Sequence, residues 1–230
     1  MAAPLLTEVE SPWWLPVWER HGGRYSAAYP QVRSDEIDLR RELLFCLLGG
    51  HGIPFELNAS AASVLIEQGV WRHVSDAAWL ERQLSTAQFE PRRRTGQLRR
   101  YRYPSAASRR IAAAFEWVEG HGPLTASLRR YETDAERRDW LCSCPGVGPK
   151  TASWLLRNTG WGREVAILDV HVMRALRDGG RVSGASLPRD YIRAERAYLQ
   201  WAEDLGLCPA QLDLFLWDVY RIASRVAVCR

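Results

Sequence analysis

Residues 141–153 read Leu-Cys-Ser-Cys-Pro-Gly-Val-Gly-Pro-Lys-Thr-Ala-Ser and lie between two segments with the apolar spacing of helices. Gly146 and Gly148 flank one apolar residue, Val147, a composition typical of a tight turn with outward-facing N–H groups. Pro149 suits the first position of a helix, where its missing N–H costs nothing. Such a turn at a helix N-terminus is suited to hold one phosphate group. The stretch therefore predicts a hairpin between two helices, with Gly146, Val147 and Gly148 as candidate contacts for a phosphate group.

Lys150 follows this turn directly, in the first turn of a helix predicted over 149–160. It is the only lysine among the 31 basic residues of the chain. A bias toward Arg codons explains the general excess of arginine, and chance survival of one lysine is the plain alternative. Lysine, unlike arginine, can lose its proton and act as a nucleophile. Because the positive end of the helix dipole disfavours a cation, the position favours an uncharged amine. Lys150 is therefore a candidate nucleophile, and simple contact with a DNA phosphate is the other interpretation.

A second candidate is Asp169, which follows the short apolar run 165–168 at the start of another predicted helix. Taken alone, an Asp in this place is most simply an N-cap. It lies 19 residues after Lys150, on the next element. A hairpin helix followed by a short return would let the two side chains face one cleft.

Apolar spacing of three and four residues recurs along the chain and few segments alternate like strands, which predicts an all-α fold. The first 33 residues, rich in Pro and aromatic residues, are expected to form an irregular arm. Ser34 is the predicted N-cap of the first helix, which ends at Gly49. Other helices are predicted at 57–69, 76–88, 105–119, 133–142, 149–160, from Asp169, from near Pro188 and at 209–224.

Composition narrows the class of protein. Apolar residues make up 47% of the chain, the formal net charge is +4 and the isoelectric point is near 8.9, which permits a nucleic-acid partner without requiring one. The five cysteines have irregular spacing, which argues against zinc and iron–sulfur sites. We expect no cofactor and no metal. The absence of a long apolar run predicts no membrane association and a cytoplasmic, nucleoid-associated protein.

The stretch from Cys144 to Leu176 resembles the helix-hairpin-helix DNA glycosylases, in the hairpin, in the Lys directly after it and in the Asp of an LDVH context. It is most similar to the compact 8-oxoguanine DNA glycosylase/AP lyases of archaea and some bacteria. Their Leu-Arg-Asn run after the lysine is matched at 156–158. Weaker matches lie at 45–48, 101–103 and 212–217, so the likeness spans most of residues 35–220.

The resemblance implies a helix-hairpin-helix glycosylase fold of two helical lobes with a DNA-binding cleft between them. One lobe would comprise residues 1–55 with 180–230, and the other residues 56–179, which carry the hairpin and the catalytic residues. The implied partner is double-stranded DNA containing a damaged base, bound by a monomer.

The resemblance also implies a mechanism. Lys150 would attack C1′ of a nucleotide flipped out of the duplex and form a Schiff base, while Asp169 would stabilise the cationic sugar and help to move the lysine proton. β-Elimination would then cut the strand on the 3′ side. The expected activity is that of a bifunctional DNA glycosylase/AP lyase that excises an oxidised purine, 8-oxoguanine in the first instance.

Further site residues are expected from the same resemblance. Asp213 and Trp217 lie four residues apart and look like a pair that holds guanine, with the carboxylate accepting hydrogen bonds and the indole stacking; the plain alternative is a solvated Asp and a core Trp. Trp154 and Phe45 are further candidates for base contact. His51, in the loop after the first helix, is the candidate for filling the gap left by the flipped nucleotide.

Trp154 is bulkier than expected in these relatives. The sequence therefore leaves room for another damaged or modified base on the same fold. A helix-hairpin-helix protein that binds DNA without catalysis is the remaining alternative.

Residues 92–103 contain six arginines and no acidic residue, followed by Arg109 and Arg110. The segment is either a solvated basic loop or a track for phosphate groups, with Arg102 and Arg109 as candidate contacts and Tyr101 or Tyr103 packing on sugars or on the core.

We predict that neutralising three arginines of residues 92–103 weakens binding to duplexes of every sequence. For each phosphate that is no longer neutralised, the slope of log affinity against log salt should flatten by about 0.9. Binding titrations at several salt concentrations measure this slope. A slope equal to that of the unmodified protein would assign these arginines to a solvated loop.

Overall fold

The computed structural model describes residues 12–26, 31–50 and 52–228. It confirms an all-α fold, in which the only extended pairing among these residues is an isolated antiparallel bridge between Phe89 and Arg99. A 3₁₀ turn covers Val70–Arg72. The α-helices are α1 (Leu15–His21), α2 (Gly23–Ser26), α3 (Glu36–Leu48), α4 (Phe55–Glu67), α5 (Ala77–Ser85), α6 (Pro104–His121), α7 (Leu124–Leu128), α8 (Asp134–Leu141), α9 (Pro149–Thr159), α10 (Val170–Asp178), α11 (Tyr191–Asp204) and α12 (Pro209–Val228).

The chain forms two compact units with boundaries different from the predicted ones. The central unit spans 30–162, and the terminal unit combines 1–29 with 163–230. Helix α3 packs against α4, α6, α7 and α9, which places it in the central unit instead of with the C-terminal helices. Helix α10 packs against α12, which places it in the terminal unit. Lys150 and Asp169 were expected in one lobe, but the first belongs to the central unit and the second to the terminal unit.

The central unit is organised around α3, whose predicted stripe of leucines from Leu43 to Leu48 is buried. At the start of α3, the Glu36 carboxylate accepts hydrogen bonds from the backbone N–H groups of Leu124 and Thr125, each with a donor–acceptor distance of 3.0 Å. These bonds satisfy the orphan donors at the start of α7 and join the two helices. Helix α9 packs against both α3 and α8, so α3 and α8 fix the direction in which α9 leaves the hairpin.

Capping residues set the helix bounds. The predicted capping box of Thr133 and Glu136 is present at the start of α8, and its hydrogen bonds from Thr133 lower the pKa of the Glu136 carboxyl group. The predicted Ser34 cap is wrong by one residue, because the Asp35 side chain accepts the hydrogen bond from the Ile37 N–H over 3.0 Å. Helix α7 was not predicted, because its five residues are too few for an apolar period to show.

The expectation of an irregular arm before residue 34 is wrong for residues 15–26, which form α1 and α2. Trp14, fully buried, explains why these helices form: its ring packs against Trp201 and Phe215 at centroid distances of 5.3 and 5.8 Å. Helices of four to seven residues have little stability of their own. Their aromatic residues anchor them on the core of the terminal unit.

Within the ranges described, no helix combines the length and the apolar content needed to cross a bilayer.

We predict that Trp14→Ala lowers the free energy of unfolding by about 3–5 kcal/mol, because it removes a buried ring from the core of the terminal unit. The matched control is Trp13→Ala. Trp13 is 53% exposed and contacts Tyr220, so its loss should cost about 1 kcal/mol. Urea unfolding followed by circular dichroism measures both. Equal losses would show that Trp14 does not anchor the terminal unit.

Candidate active site

The hairpin predicted from residues 141–153 is present between α8 and α9. The Val147 N–H donates to the Cys144 carbonyl over 3.0 Å. Gly146 has a φ of +80°, in the left-handed region that favours glycine. The Val147 side chain is 5% exposed, so it plugs the turn into the core as expected, and Pro149 is the first residue of α9.

The two glycines of the turn have different surroundings. The aliphatic stem of Arg110 occupies the space in which a Cβ of residue 146 would stand, and the Arg110 guanidinium donates to the Leu47 carbonyl. A Cβ at Gly148 would meet no described atom within 4 Å, and no side chain caps the N-terminus of α9. The turn therefore fits tightly against α6 on the Gly146 side and leaves an open, donor-rich face on the Gly148 side, which suits an anion.

Lys150 is half-buried beside an aromatic wall, which consists of the packed rings of Phe45, Phe55 and Trp154. Its Nζ lies 5.8 Å from the ring centroid of Trp154. The Trp154 ring meets Phe45 edge-to-face at 5.4 Å, and Phe45 meets Phe55 at 5.7 Å. Three of the residues predicted for the site are thereby brought together: Lys150, Trp154 and Phe45.

The Trp154 ring also lies against the backbone of Gly49, where a Cβ would overlap the indole. The packing shows how the structure accommodates a side chain that looked too bulky at this position. The glycine that ends α3 provides the space, so Trp154 forms part of the wall without displacing α9.

A buried polar cluster lies beside Lys150 on α3 and α9. The Glu42 carboxylate, 9% exposed, accepts a hydrogen bond from the Asn158 side chain over 2.7 Å and lies 3.7 Å from the Arg33 guanidinium. The Cys46 thiol is 3.8 Å from the same carboxylate. Burial, and then the Glu42 charge, raise the pKa of the Cys46 thiol well above its usual value, while the charges of Arg157 and, more weakly, Lys150 oppose this rise. The thiol is therefore neutral at pH 7.

Glu42 was not predicted as a member of the site. A signal was present, because Glu42 is a charged residue inside the otherwise apolar stripe of α3. Buried acids are uncommon unless they are paired.

Asp169 caps α10. Its Oδ1 accepts hydrogen bonds from the N–H groups of His171 and Val172 over 2.8 and 2.9 Å, so the N-cap interpretation is confirmed. The residue is half-buried and follows the segment Val165–Leu168, which is almost fully buried. The cap holds the carboxylate in one orientation, which is equally what a catalytic carboxylate requires.

Asp213 and Trp217 lie on α12 of the terminal unit. Asp213 is 1% exposed, and its Oδ2 accepts a hydrogen bond from the Ile167 N–H over 3.1 Å, so the alternative of a solvated Asp is wrong. Trp217 is half-buried, and the Arg221 guanidinium lies 4.4 Å from its ring centroid. A role for this pair in base contact stays a prediction.

The arginine-rich segment lies in the central unit. The Arg102 guanidinium is 5.1 Å from the Tyr103 ring centroid, and Arg109 donates to the Ser105 side chain over 2.7 Å. Tyr101 packs in the core and donates to the Leu48 carbonyl, and burial raises its pKa to about 12. Tyr103 is 45% exposed, which leaves it as the tyrosine able to meet a ligand. His51, the candidate for filling the gap in the duplex, lies outside the described residues.

The hairpin with a lysine in the first turn of its second helix is the feature on which the resemblance to the helix-hairpin-helix DNA glycosylases is based, and solved structures of 8-oxoguanine DNA glycosylases share the fold. The 8-oxoguanine DNA glycosylase of Thermotoga maritima superposes with a TM-score of 0.62 at 25% identity, covering 90% of this chain and 89% of its own. The 8-oxoguanine glycosylase/lyase of Methanocaldococcus jannaschii, in complex with 15mer DNA containing 8-oxoguanine, gives 0.60 at 18% identity over 92% and 93%, a likeness of fold alone.

A family model described as 8-oxoguanine DNA glycosylase matches residues 26–207, so the chain belongs to that family. The 8-oxoguanine DNA glycosylase/AP lyase of Aquifex aeolicus is 32% identical over 128 residues, which is 52% of this chain and 54% of the relative. In such sequence matches the chain spans about half the length of the curated relatives.

We predict that Gly146→Ala destabilises the protein by about 1–3 kcal/mol, because the new methyl group needs a left-handed backbone and the space of the Arg110 stem. Gly148→Ala is the matched control two residues away. Its φ of −96° is open to any residue and its surroundings are empty, so the cost should be within about 0.5 kcal/mol. Thermal unfolding of the two variants compares them. Equal stability would contradict the close approach of the turn to α6.

Proposed function

We propose that this protein is a bifunctional DNA glycosylase/AP lyase that excises an oxidised purine, specifically 8-oxoguanine, from double-stranded DNA. The observation that carries the proposal is the place of the only lysine, directly after the hairpin and beside an aromatic wall, in a member of the 8-oxoguanine DNA glycosylase family. The curated relatives carry the name 8-oxoguanine DNA glycosylase/AP lyase, which supports both halves of the activity.

Lys150 is the proposed nucleophile. Its amine attacks C1′ of the flipped nucleotide, the bond from C1′ to the base breaks, and the base leaves with a proton. The bond from C1′ to the ring oxygen O4′ then breaks, O4′ takes up a proton, and C1′ is left joined to the lysine nitrogen as a protonated imine. The positive end of the α9 dipole favours the uncharged form of the amine, which lies beside the Trp154 ring. An arginine at this position would stay charged and could not act as a nucleophile.

Asp169 is the proposed partner in this step. A carboxylate held in one orientation stabilises the positive charge that develops on the sugar and accepts or returns the lysine proton. Elimination across C2′ and C3′ of the imine breaks the bond from C3′ to its oxygen and cuts the strand on the 3′ side. Water then releases the sugar fragment and restores the amine.

The base itself is proposed to meet flat aromatic surfaces. Phe45 and Trp154 provide edge-to-face rings next to Lys150, and Trp217 offers another indole in the terminal unit. Aromatic rings hold a flipped base by stacking, which every base permits. The lesion is therefore expected to be distinguished by polar contacts in addition to these rings.

The duplex backbone is proposed to lie against the hairpin and the arginine-rich segment. The open side of the turn at Gly148, with the uncapped N-terminus of α9, is suited to one phosphate, and Gly146 and Val147 shape that turn. Arg102 and Arg109 are the proposed contacts on neighbouring phosphates. These contacts position the duplex without selecting a sequence.

We predict that the unmodified protein forms a covalent cross-link when borohydride is added to it with a duplex containing 8-oxoguanine. Peptide mapping should place the adduct on Lys150, since the sequence has no other lysine side chain. Lys150→Gln and Lys150→Arg should lose the cross-link and slow both excision and strand cutting by at least about 1,000-fold.

Lys150→Arg serves as the control for charge, because it keeps the cation and therefore duplex affinity. Duplexes carrying other damaged or modified bases, and one carrying an abasic site, are tested in parallel. A cross-link that forms only with another lesion would show that this lesion, and not 8-oxoguanine, is the substrate, while the mechanism through Lys150 would stand. Duplex binding with no cross-link or nick on any of them would leave a DNA-binding protein without catalysis.

A further inference from the structure

Side chains from two helices hold the backbone of the non-helical segment that precedes Asp169. Glu195 of α11 accepts a hydrogen bond from the Ala166 N–H over 3.1 Å. Tyr191, one turn earlier on the same helix, donates to the Ala166 carbonyl. Asp213 of α12 accepts from the Ile167 N–H over 3.1 Å. The N–H and carbonyl groups of Ala166 and the N–H group of Ile167 are therefore paired as they would be in a sheet, but their partners are side chains.

The choice of two carboxylates for this task is costly. Glu195 is 4% exposed and Asp213 is 1% exposed, and a buried charge lowers stability unless strong partners compensate. Hydrogen bonds from N–H groups to a carboxylate are shorter and stronger than bonds to a neutral oxygen. Two acids from different helices thus fix consecutive N–H groups of one short segment, which resists both sliding and rotation of its backbone.

This segment determines where Asp169 stands. The Asp169 N–H donates to the Ile167 carbonyl over 2.7 Å, and its Oδ1 caps α10. Asp169 is thus hydrogen-bonded on its N-terminal side to the segment held by Glu195 and Asp213, and on its C-terminal side to the first turn of α10. A displacement of the segment would carry the carboxylate with it.

We propose, on the basis of the function proposed above, that Glu195 and Asp213 are positioning residues for Asp169. They hold the backbone that sets the Asp169 carboxylate for its work on the sugar and the lysine proton. For Asp213, this role differs from the predicted contact with the damaged base.

We predict that Glu195→Leu slows borohydride cross-linking by about tenfold or more per folded molecule, because small displacements of a catalytic group have effects of this size. In an Asp169→Asn background, the same substitution should change the rate by no more than about twofold, since residues that act through one another are not additive. Glu195→Gln keeps the acceptor oxygen and should recover most of the rate. Additive effects in the double variant would overturn the proposal.

Glu36→Leu is the matched control. Glu36 also accepts hydrogen bonds from two consecutive backbone N–H groups, but in the central unit at the start of α7. The Glu36→Leu variant should be less stable than the unmodified protein but should keep its rate of cross-linking per folded molecule. Tyr191→Phe removes only the hydroxyl donor to Ala166 and provides a milder variant, with a smaller loss that also vanishes in the Asp169→Asn background.

Asp213→Leu separates the two roles of that residue. If Asp213 is a positioning residue, Asp213→Leu should slow cross-linking both to the 8-oxoguanine duplex and to the abasic duplex. The ratio of these two rate losses should equal the ratio found for Asp169→Asn. A base contact predicts a loss confined to the duplex that contains a base, which would limit the proposal to Glu195.

Amide hydrogen exchange at His171 and Val172 tests the positioning without any catalysis. Exchange should be faster in Glu195→Leu than in Glu36→Leu, because the Asp169 cap is loosened only in the first. Unchanged protection of both amides would overturn the inference even where the unmodified protein cross-links normally. An inactive unmodified protein whose cap loosens in Glu195→Leu would instead overturn the proposed function and keep the mechanical link.

Discussion

The absence of a side chain at position 146 is the constraint on which the central unit depends. The Arg110 stem fills the space next to Gly146, and its guanidinium reaches the Leu47 carbonyl, so α6 joins the hairpin to the end of α3. One turn into α9, Trp154 rests on Gly49 in the same way. Two close approaches, each possible only at glycine, therefore set the angle and depth of α9 and place Lys150 beside the Trp154 ring.

In the terminal unit, the position of the Asp169 side chain is fixed by hydrogen bonds instead of by close packing against glycine. Asp169 follows the short non-helical segment Val165–Leu168, which pairs with no strand among the described residues. Buried acids on α11 and α12 take the place of a neighbouring strand. The central unit thus positions Lys150 by packing around glycines, whereas the terminal unit positions Asp169 through hydrogen bonds from the preceding backbone to buried acidic side chains.

Local patterns predicted most of the fold, because the decisive features were short in range. The capping box at Thr133, Pro149 at the start of α9 and the buried Val147 all depend on neighbours within a few residues. The division into units depends on which helices α3 and α10 pack against, and amphipathic spacing does not specify a partner. For the same reason the sequence indicated Lys150, Trp154 and Phe45 as site residues but not Arg110 or Glu195, whose roles depend on long-range contacts.

Burial of two thiols in the central unit has a consequence for their reactivity. Peroxide and alkylating agents attack the thiolate and spare the neutral thiol. Burial raises the pKa of Cys144 to about 12, and burial together with Glu42 raises that of Cys46 well above its usual value. The thiols of Cys144 and Cys46 are therefore expected to react slowly with such reagents.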